Sequence, residues 1–322
     1  MSTFRSRLPQ LRDQLFLTDG GLETTLIFHE GLTLPSFAAF DLLKDDAGSA
    51  VLRRYFDRYA AIAREQGTGL LLETPTWRAN PDWGAKLGYD APALAEANRR
   101  AVGLLLEVRS GFGRAPLVIS GNLGPRGDGY QAVARMSAAE AEAYHAPQIR
   151  VFAESDADMI AAFTMTYAEE AIGIVRAGTA AGMPVAISFT TETDGRLPSG
   201  EALDQAIART DDATGGAAAY YMINCVHPTH LASAIERGGA WRERVRGLRA
   251  NASSRSHAEL DESTDLDAGD PDELGRQYAE LRTAFPRLSV VGGCCGTDHR
   301  HVEAIGHALR QPTDAVAPAG RN

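Results

Sequence analysis

The chain has only three cysteines among its 322 residues, too few for the disulfide framework of a small secreted scaffold. It lacks any apolar run near the ~20 residues that span a bilayer. Its start, MSTFRSRLPQLRDQ, has no hydrophobic signal core, so we expect a cytoplasmic protein with no membrane partner. Positive charge is not in excess. The 42 acidic side chains outnumber the 32 basic ones, giving a net charge of −10 and a pI near 5.3. That balance offers no electrostatic footprint for nucleic acid or an anionic lipid surface. No fixed-period repeat and no linker-like stretch divides the chain.

What remains is an ordinary globular composition, 44% hydrophobic and 23% charged, arranged in alternating strand-like and helix-like segments. Eight short apolar runs begin near Leu15, Gly69, Leu117, Ala157, Val185, Tyr220, Val245 and Leu288. Several are continuous, as in parallel strands buried on both faces. Between them lie helical patterns. Leu52, Tyr55, Phe56, Tyr59, Ala60 and Ala63 share one helical face. Ser137 with Glu140 makes a capping box, and Asp270-Pro271-Asp272-Glu273 reads as a helix start. A last helix after Asp298 would bury Val302, Ile305 and Leu309. Eight strand–helix units predict an α/β fold, a single-domain (β/α)8 TIM barrel over residues 1–311, with 312–322 as a loose tail. A doubly wound open sheet is the rival. It often carries G-x-G-x-x-G after its first strand, and here that strand ends in Asp19-Gly20-Gly21-Leu22-Glu23.

Asp19, Glu73, Asn122, Cys225, Asn251, Cys294 and Cys295 all fall at or just after the C-terminal ends of predicted strands. In a barrel these ends meet at one mouth, where active sites lie. Three thiolates meeting there match three of the four positions of a tetrahedral zinc site, leaving one open as in catalytic sites. Adjacent residues on a regular strand face opposite ways, so Cys294 and Cys295 can share a metal only where the backbone leaves strand geometry. Gly292, Gly293 and Gly296 permit that. Two other readings stand beside the metal. Free cysteine is often simply buried, and neighbouring thiols can be oxidised, although a bond between them closes a strained ring and the usual redox spacing is C-x-x-C.

These residues carry a resemblance. From about Leu15 to Leu309 the chain resembles the homocysteine S-methyltransferase family of zinc-dependent barrels. The landmarks, in order, are Asp19-Gly20-Gly21-Leu22-Glu23, Glu73-Thr74, Gly121-Asn122-Leu123-Gly124-Pro125, Asn224-Cys225 with Pro228, Asn251, and Gly292-Gly293-Cys294-Cys295-Gly296-Thr297. The resemblance implies Zn2+ held by Cys225, Cys294 and Cys295, with a small homocysteine-like thiol at the open position. It implies a methyl group delivered from a sulfonium or quaternary ammonium donor, in methionine biosynthesis. Asp19, Gly20, Gly21 and Glu23 match the loop that holds the amino acid part of homocysteine. Glu73, Asn122, Asn224 and Asn251 are expected near the same substrate.

One departure bears on the acceptor. Family members that use homocysteine carry Glu-Thr-Ile-Pro after strand four, and its glutamate contacts the substrate ammonium. Here the stretch is Phe163-Thr164-Met165-Thr166, so Phe163 and Thr164 stand at that position. A phenyl ring offers an ammonium at most a cation–π contact. The expectation divides accordingly: a homocysteine-like acceptor with another acid in place of the missing one, or a different thiol, or onium demethylation. A zinc-binding barrel without catalysis, acting as a sensor or scaffold, is the reading of another class. Three outer features complete the expectations. The polar stretch Arg255–Glu262 is either a lid or a solvated loop. His227 either approaches the metal or, the reading we favour, is an ordinary loop or helix-start histidine. Trp77 and Trp83 either pack or face a cationic donor.

Overall fold

The structure is a computed structural model that describes residues 2–12, 14–133, 135–263 and 265–310. The predicted tail lies outside them. Eight parallel strands close into a barrel in sequence order. They are β1 (Phe16–Leu17), β2 (Gly69–Glu73), β3 (Leu117–Leu123), β4 (Met159–Met165), β5 (Val185–Thr190), β6 (Tyr220–Asn224), β7 (Val245–Ala250) and β8 (Val290–Gly293). β1 pairs with both β2 and β8, which closes the ring. Its register is set by two residue pairs on each side, Phe16 opposite Gly69 and Val290 and Leu17 opposite Leu70 and Val291.

Side chains alternate across the strands and so divide between two cores. Phe16, Leu71, Val118, Met159, Tyr220, Met222 and Val290 fill the barrel interior. Leu17, Leu70, Leu72, Ile119 and Ile187 face outward, where the helices cover them. The helix Asp46–Gln66 buries Leu52, Tyr55, Phe56, Tyr59, Ala60 and Ala63, the expected face. Ser137 and Glu140 form the capping box of Ala138–Ala153, and Asp270 caps Pro271–Ala284. The final helix His299–Arg310 buries Val302, Ile305 and Leu309.

The regular strand–helix alternation loosens in two places. After β6 the crossover is built of short pieces, Pro228–Leu231 and Ala232–Glu236. Between β1 and its helix lies an irregular segment over residues 22–44.

The N-terminal end of the barrel is plugged. Thr3 and Phe4 donate backbone N–H groups to the buried Asp158 Oδ1, each at 2.8 Å. Leu8 packs into the interior core, with Phe4 and Leu11 against it. With the bottom sealed, any ligand cavity must open at the other end, on the strand C-termini. Among the described residues no helix is long and apolar enough to cross a membrane.

Candidate active site

The C-terminal mouth holds a cavity of about 730 Å³. Its lining includes residues from the ends of β2, β3, β4, β6, β7 and β8. Cys225, Cys294 and Cys295 lie on one side, their sulfurs within 4.8 Å of one another. Cys225 Sγ and Cys295 Sγ are 3.8 Å apart and all three thiols are free.

Local backbone chemistry brings these sulfurs together. Cys225 follows β6 in the left-handed region, with φ of 52°, which turns its side chain out of the strand alternation. Its backbone N–H donates to the Arg249 carbonyl of β7 at 3.1 Å. Beyond β8 the chain turns so that Cys294 and Cys295 face one centre. Gly296 takes φ of 79° in that turn. Gly292 serves a different purpose. A Cβ there would meet Thr18 Oγ1 at 1.9 Å, so only glycine lets β8 lie this close to β1. Asn251 accepts the Cys295 N–H on its Oδ1 at 3.1 Å and fixes that residue. The loop 19–25 packs on the same turn. Gly21 N–H donates to Thr297, and Gly296 N–H donates to Thr24 Oγ1.

Hydrogen bonds from Cys225 and Cys295, and more weakly the Arg249 charge, hold the Cys294 thiol well below its usual value. Cys225 and Cys295 are pushed up by the same sharing, with burial adding. Tyr130, in the loop after β3, brings its hydroxyl to 3.5 Å from Cys225 Sγ and 3.7 Å from Cys295 Sγ. His257 stands behind it, with ring centroids 4.3 Å apart, and its Nε2–H donates to the Cys225 carbonyl at 2.6 Å. His227 caps the turn Pro228–Leu231 and accepts the Thr229 N–H; it is not part of the sulfur group.

Across the cavity lie the other residues singled out in the sequence. Asp19 Oδ2 accepts the Tyr55 hydroxyl at 2.9 Å. Its Oδ1 is 2.7 Å from Arg249 Nη2, an ion pair lacking linear hydrogen-bond geometry. Burial pushes the Asp19 carboxyl up against the pull of Arg249. Burial also works against the guanidinium, but Asp19, Cys294 and the other anions outweigh it and keep Arg249 charged. Glu73, at the end of β2 and 3% exposed, has no hydrogen-bond partner on either oxygen. Burial raises its carboxyl to about 8, against weaker pulls from Ser120 and Arg249. Half-buried Glu23 is pushed up to about 7, chiefly by burial. Phe163 is buried in β4 with the Arg249 guanidinium 5.3 Å from its ring centre. Thr164 follows with φ of 63°, a strained value for a β-branched residue. Asn224 holds it there, accepting Thr164 N–H at 3.0 Å and donating to Thr164 Oγ1 at 3.0 Å. Ser188 donates to the same Asn224 oxygen at 2.6 Å. Asn224 lines the cavity, but its amide is engaged within the barrel. Asn122 also lines it, with its side-chain oxygen unpartnered.

The stretch after β7 forms the short helix His257–Asp261, and His257, Leu260 and Leu266 border the cavity. The segment therefore contributes to the cavity wall. Trp77 and Trp83 already have a cation between them. The Arg78 guanidinium lies 4.0 Å from one ring centre and 3.7 Å from the other, and Lys86 covers Trp83 at 3.6 Å.

Tyr130, Arg249 and Arg78 are site residues that sequence reasoning missed. Tyr130 sits in a glycine-rich loop with no pattern around it. An arginine inside the apolar run Val245–Ala250 was the one available signal for Arg249.

A sequence profile described as homocysteine S-methyltransferase matches residues 16–309. The chain belongs to the homocysteine S-methyltransferase family. Family membership makes it a methyltransferase acting on small molecules, a thiol acceptor and a methyl donor. Structures of the homocysteine methyltransferase MmuM from Escherichia coli share the fold. The oxidised form is 19% identical with a TM-score of 0.74, covering 94% of this chain and 98% of that one. The metallated form is 18% identical with a TM-score of 0.71, covering 92% and 96%. No curated protein matches the chain by sequence.

Proposed function

We propose that this member of the family is a zinc-dependent S-methyltransferase of the cytoplasm, moving a methyl group from an onium donor to a small thiol. The observation that carries the reading is the sulfur geometry. Zinc–thiolate bonds of about 2.3 Å in a tetrahedron put sulfurs about 3.8 Å apart, and Cys225 and Cys295 are 3.8 Å apart. With Cys294 inside the same 4.8 Å group, three positions are supplied and a fourth stays open. MmuM, a structural relative, has been described in a metallated form.

Zinc bound to three thiolates would hold an incoming thiol as its thiolate while leaving it nucleophilic. The chain's own residues do the rest. Asn251 and Gly296 orient Cys295 and its turn. His257 and Tyr130 close the space beside the sulfurs, and the segment after β7 narrows the mouth, which would limit the access of water. The acceptor sulfur forms a bond to the methyl carbon as the donor's carbon–onium bond breaks. The donor leaves with that electron pair as a neutral sulfide or amine, and the acceptor becomes a thioether. Where homocysteine is the acceptor, the product is methionine.

The arrangement of aromatics bears on the donor. The faces of Trp77 and Trp83 carry Arg78 and Lys86. Phe28 and Phe37 border the cavity, 48% and 57% exposed, with no cation on their faces among the described residues. They offer a sulfonium or quaternary ammonium group a cation–π surface at the mouth.

Zinc-edge X-ray absorption on the purified protein, with and without added thiol, tests the proposal. Three sulfur ligands should become four. Zinc that keeps three sulfurs with every thiol offered would favour the non-catalytic reading, and protein without stoichiometric zinc would defeat both.

A further inference from the structure

Beyond the sulfurs the cavity wall carries a second group of side chains, and its charges are arranged for one kind of head group. Four residues meet there: Asp19 just past β1, and Glu73, Phe163 and Arg249 from β2, β4 and β7. In isolation the two acids would suit a ligand ammonium. The structure engages one and leaves the other neutral. Asp19 is held by the Tyr55 hydroxyl at 2.9 Å and by the Arg249 guanidinium at 2.7 Å. A cation placed beside Asp19 would also stand beside Arg249. Phe163 offers no relief, because the same guanidinium lies over its ring at 5.3 Å.

The unpartnered donors point the opposite way. Arg249 uses Nε on the Gly293 carbonyl at 2.9 Å and Nη2 on the Gly20 carbonyl at 2.9 Å. Its Nη1 has no partner among the described residues, and the residue lines the cavity. Glu73 is buried at the cavity wall with neither oxygen hydrogen-bonded. Burial raises its carboxyl to about 8, which favours the protonated form at neutral pH, and a protonated carboxyl donates. A buried polar group with no partner normally marks a missing ligand or water.

We propose that the acceptor is a thiol carrying a carboxylate and no ammonium group, a mercaptocarboxylate whose carboxylate is bound by Arg249 Nη1 and the Glu73 hydroxyl while Phe163 packs against its chain. This rests on the reading of the three cysteines as a thiol-binding zinc centre. A charged guanidinium donor to a carboxylate is among the stronger hydrogen bonds available to a protein. The ammonium of an α-amino acid would find the neutral Asn122 oxygen, but beside Asp19 it is desolvated next to the Arg249 cation. Selection between the two acceptors follows from that difference.

The test is calorimetric titration of the full-length protein, purified with its metal, against four thiols: homocysteine, 4-mercaptobutyrate, 3-aminopropane-1-thiol and 1-propanethiol. The first two differ only by the amino group. We expect 4-mercaptobutyrate to bind at least about tenfold more tightly than homocysteine, and aminopropanethiol to bind most weakly. Homocysteine binding as tightly as 4-mercaptobutyrate, or more so, overturns the proposal while leaving the zinc–thiolate reading intact. Silence from all four thiols, propanethiol included, removes that underlying reading and this proposal with it. Arg249 also holds backbone carbonyls, so its replacement risks the fold; Glu73→Leu is the safer variant. It should weaken 4-mercaptobutyrate about tenfold more than propanethiol. Equal losses for both thiols would overturn the role given to Glu73.

Discussion

Cys225, Cys294 and Cys295 bring three like groups to within 4.8 Å of one another, whereas Asp19, Glu73, Phe163 and Arg249 bring an acid, a neutral acid, an apolar ring and a base to the other end of the same cavity. The sulfur end is prepared by the backbone. A left-handed Cys225, a left-handed Gly296 and the Asn251 contact aim the side chains before any ligand arrives. The acid end is prepared by side chains that satisfy one another, Asp19 with Tyr55 and Arg249, and by a buried carboxyl left without a hydrogen-bond partner, Glu73. Chemistry that needs a metal tolerates little variation in donor type and distance. Head-group recognition depends on the sum of charges, which a single substitution can invert. That is why the first end keeps the full cysteine set of the resemblance while the second, which keeps Asp19 and Glu73, departs from it at Phe163.

The largest effect should come from breaking the sulfur end. Cys294→Ser should reduce bound zinc from one per chain to about a tenth or less, with methyl transfer lost in proportion; elemental analysis of the purified variant reads it directly. Retention of full zinc would show that the centre needs only two of the three cysteines and would undo the contrast between the ends.

The next concerns Glu73 and separates burial from charge pairing. The unfolded group titrates near 4.5 and the folded one near 8. Between those values the native state holds a proton that the unfolded state has released, so stability falls as pH rises from about 4.5 to about 8 and levels off above. Glu73→Gln removes that slope, about 1.4 kcal/mol per pH unit. By pH 8 the variant should be more stable than the parent by an amount on the order of 4 kcal/mol. Denaturant unfolding across that range measures the difference. A difference that does not change with pH would mean that Glu73 is ionised in the fold, and that both ends carry charge.

The smallest expected effect sharpens the sulfur end alone. Tyr130→Phe removes a hydroxyl 3.5 Å from Cys225 Sγ and 3.7 Å from Cys295 Sγ. Outer contacts of this kind are worth about tenfold in metal affinity. Competition with a zinc chelator should therefore show about a tenfold weaker site, without change in fold. An unchanged affinity would assign the Tyr130 hydroxyl to packing against His257.

The readable parts of the chain share a physical cause. Continuous apolar runs, helical faces and the Ser137 and Asp270 caps are local patterns, and local patterns act within a few residues of themselves. They specify eight strands and the major helices, and a closed barrel follows because parallel strands with short crossovers have few other ways to bury both faces. The three cysteines were legible for the same reason: each ends a strand, and a barrel gathers strand ends. What could not be read depended on non-local contacts. Tyr130 reaches the sulfurs through the path of one loop. Trp77 and Trp83 are covered by Arg78 and Lys86, a matter of side-chain packing.

Arg249 shows the boundary most clearly. In the string it is one arginine in an apolar strand. In the fold it joins Asp19, 230 positions earlier, and lies over Phe163. Whether a carboxylate serves as an anion, a neutral donor or half of an ion pair depends on burial and on which charge closes to within a few ångströms. Residue identity supplied the acids, the thiols and the barrel that collects them. Their protonation, their partners and the head group they accept were set by packing, because electrostatic free energy depends on distance and desolvation rather than on order along the chain.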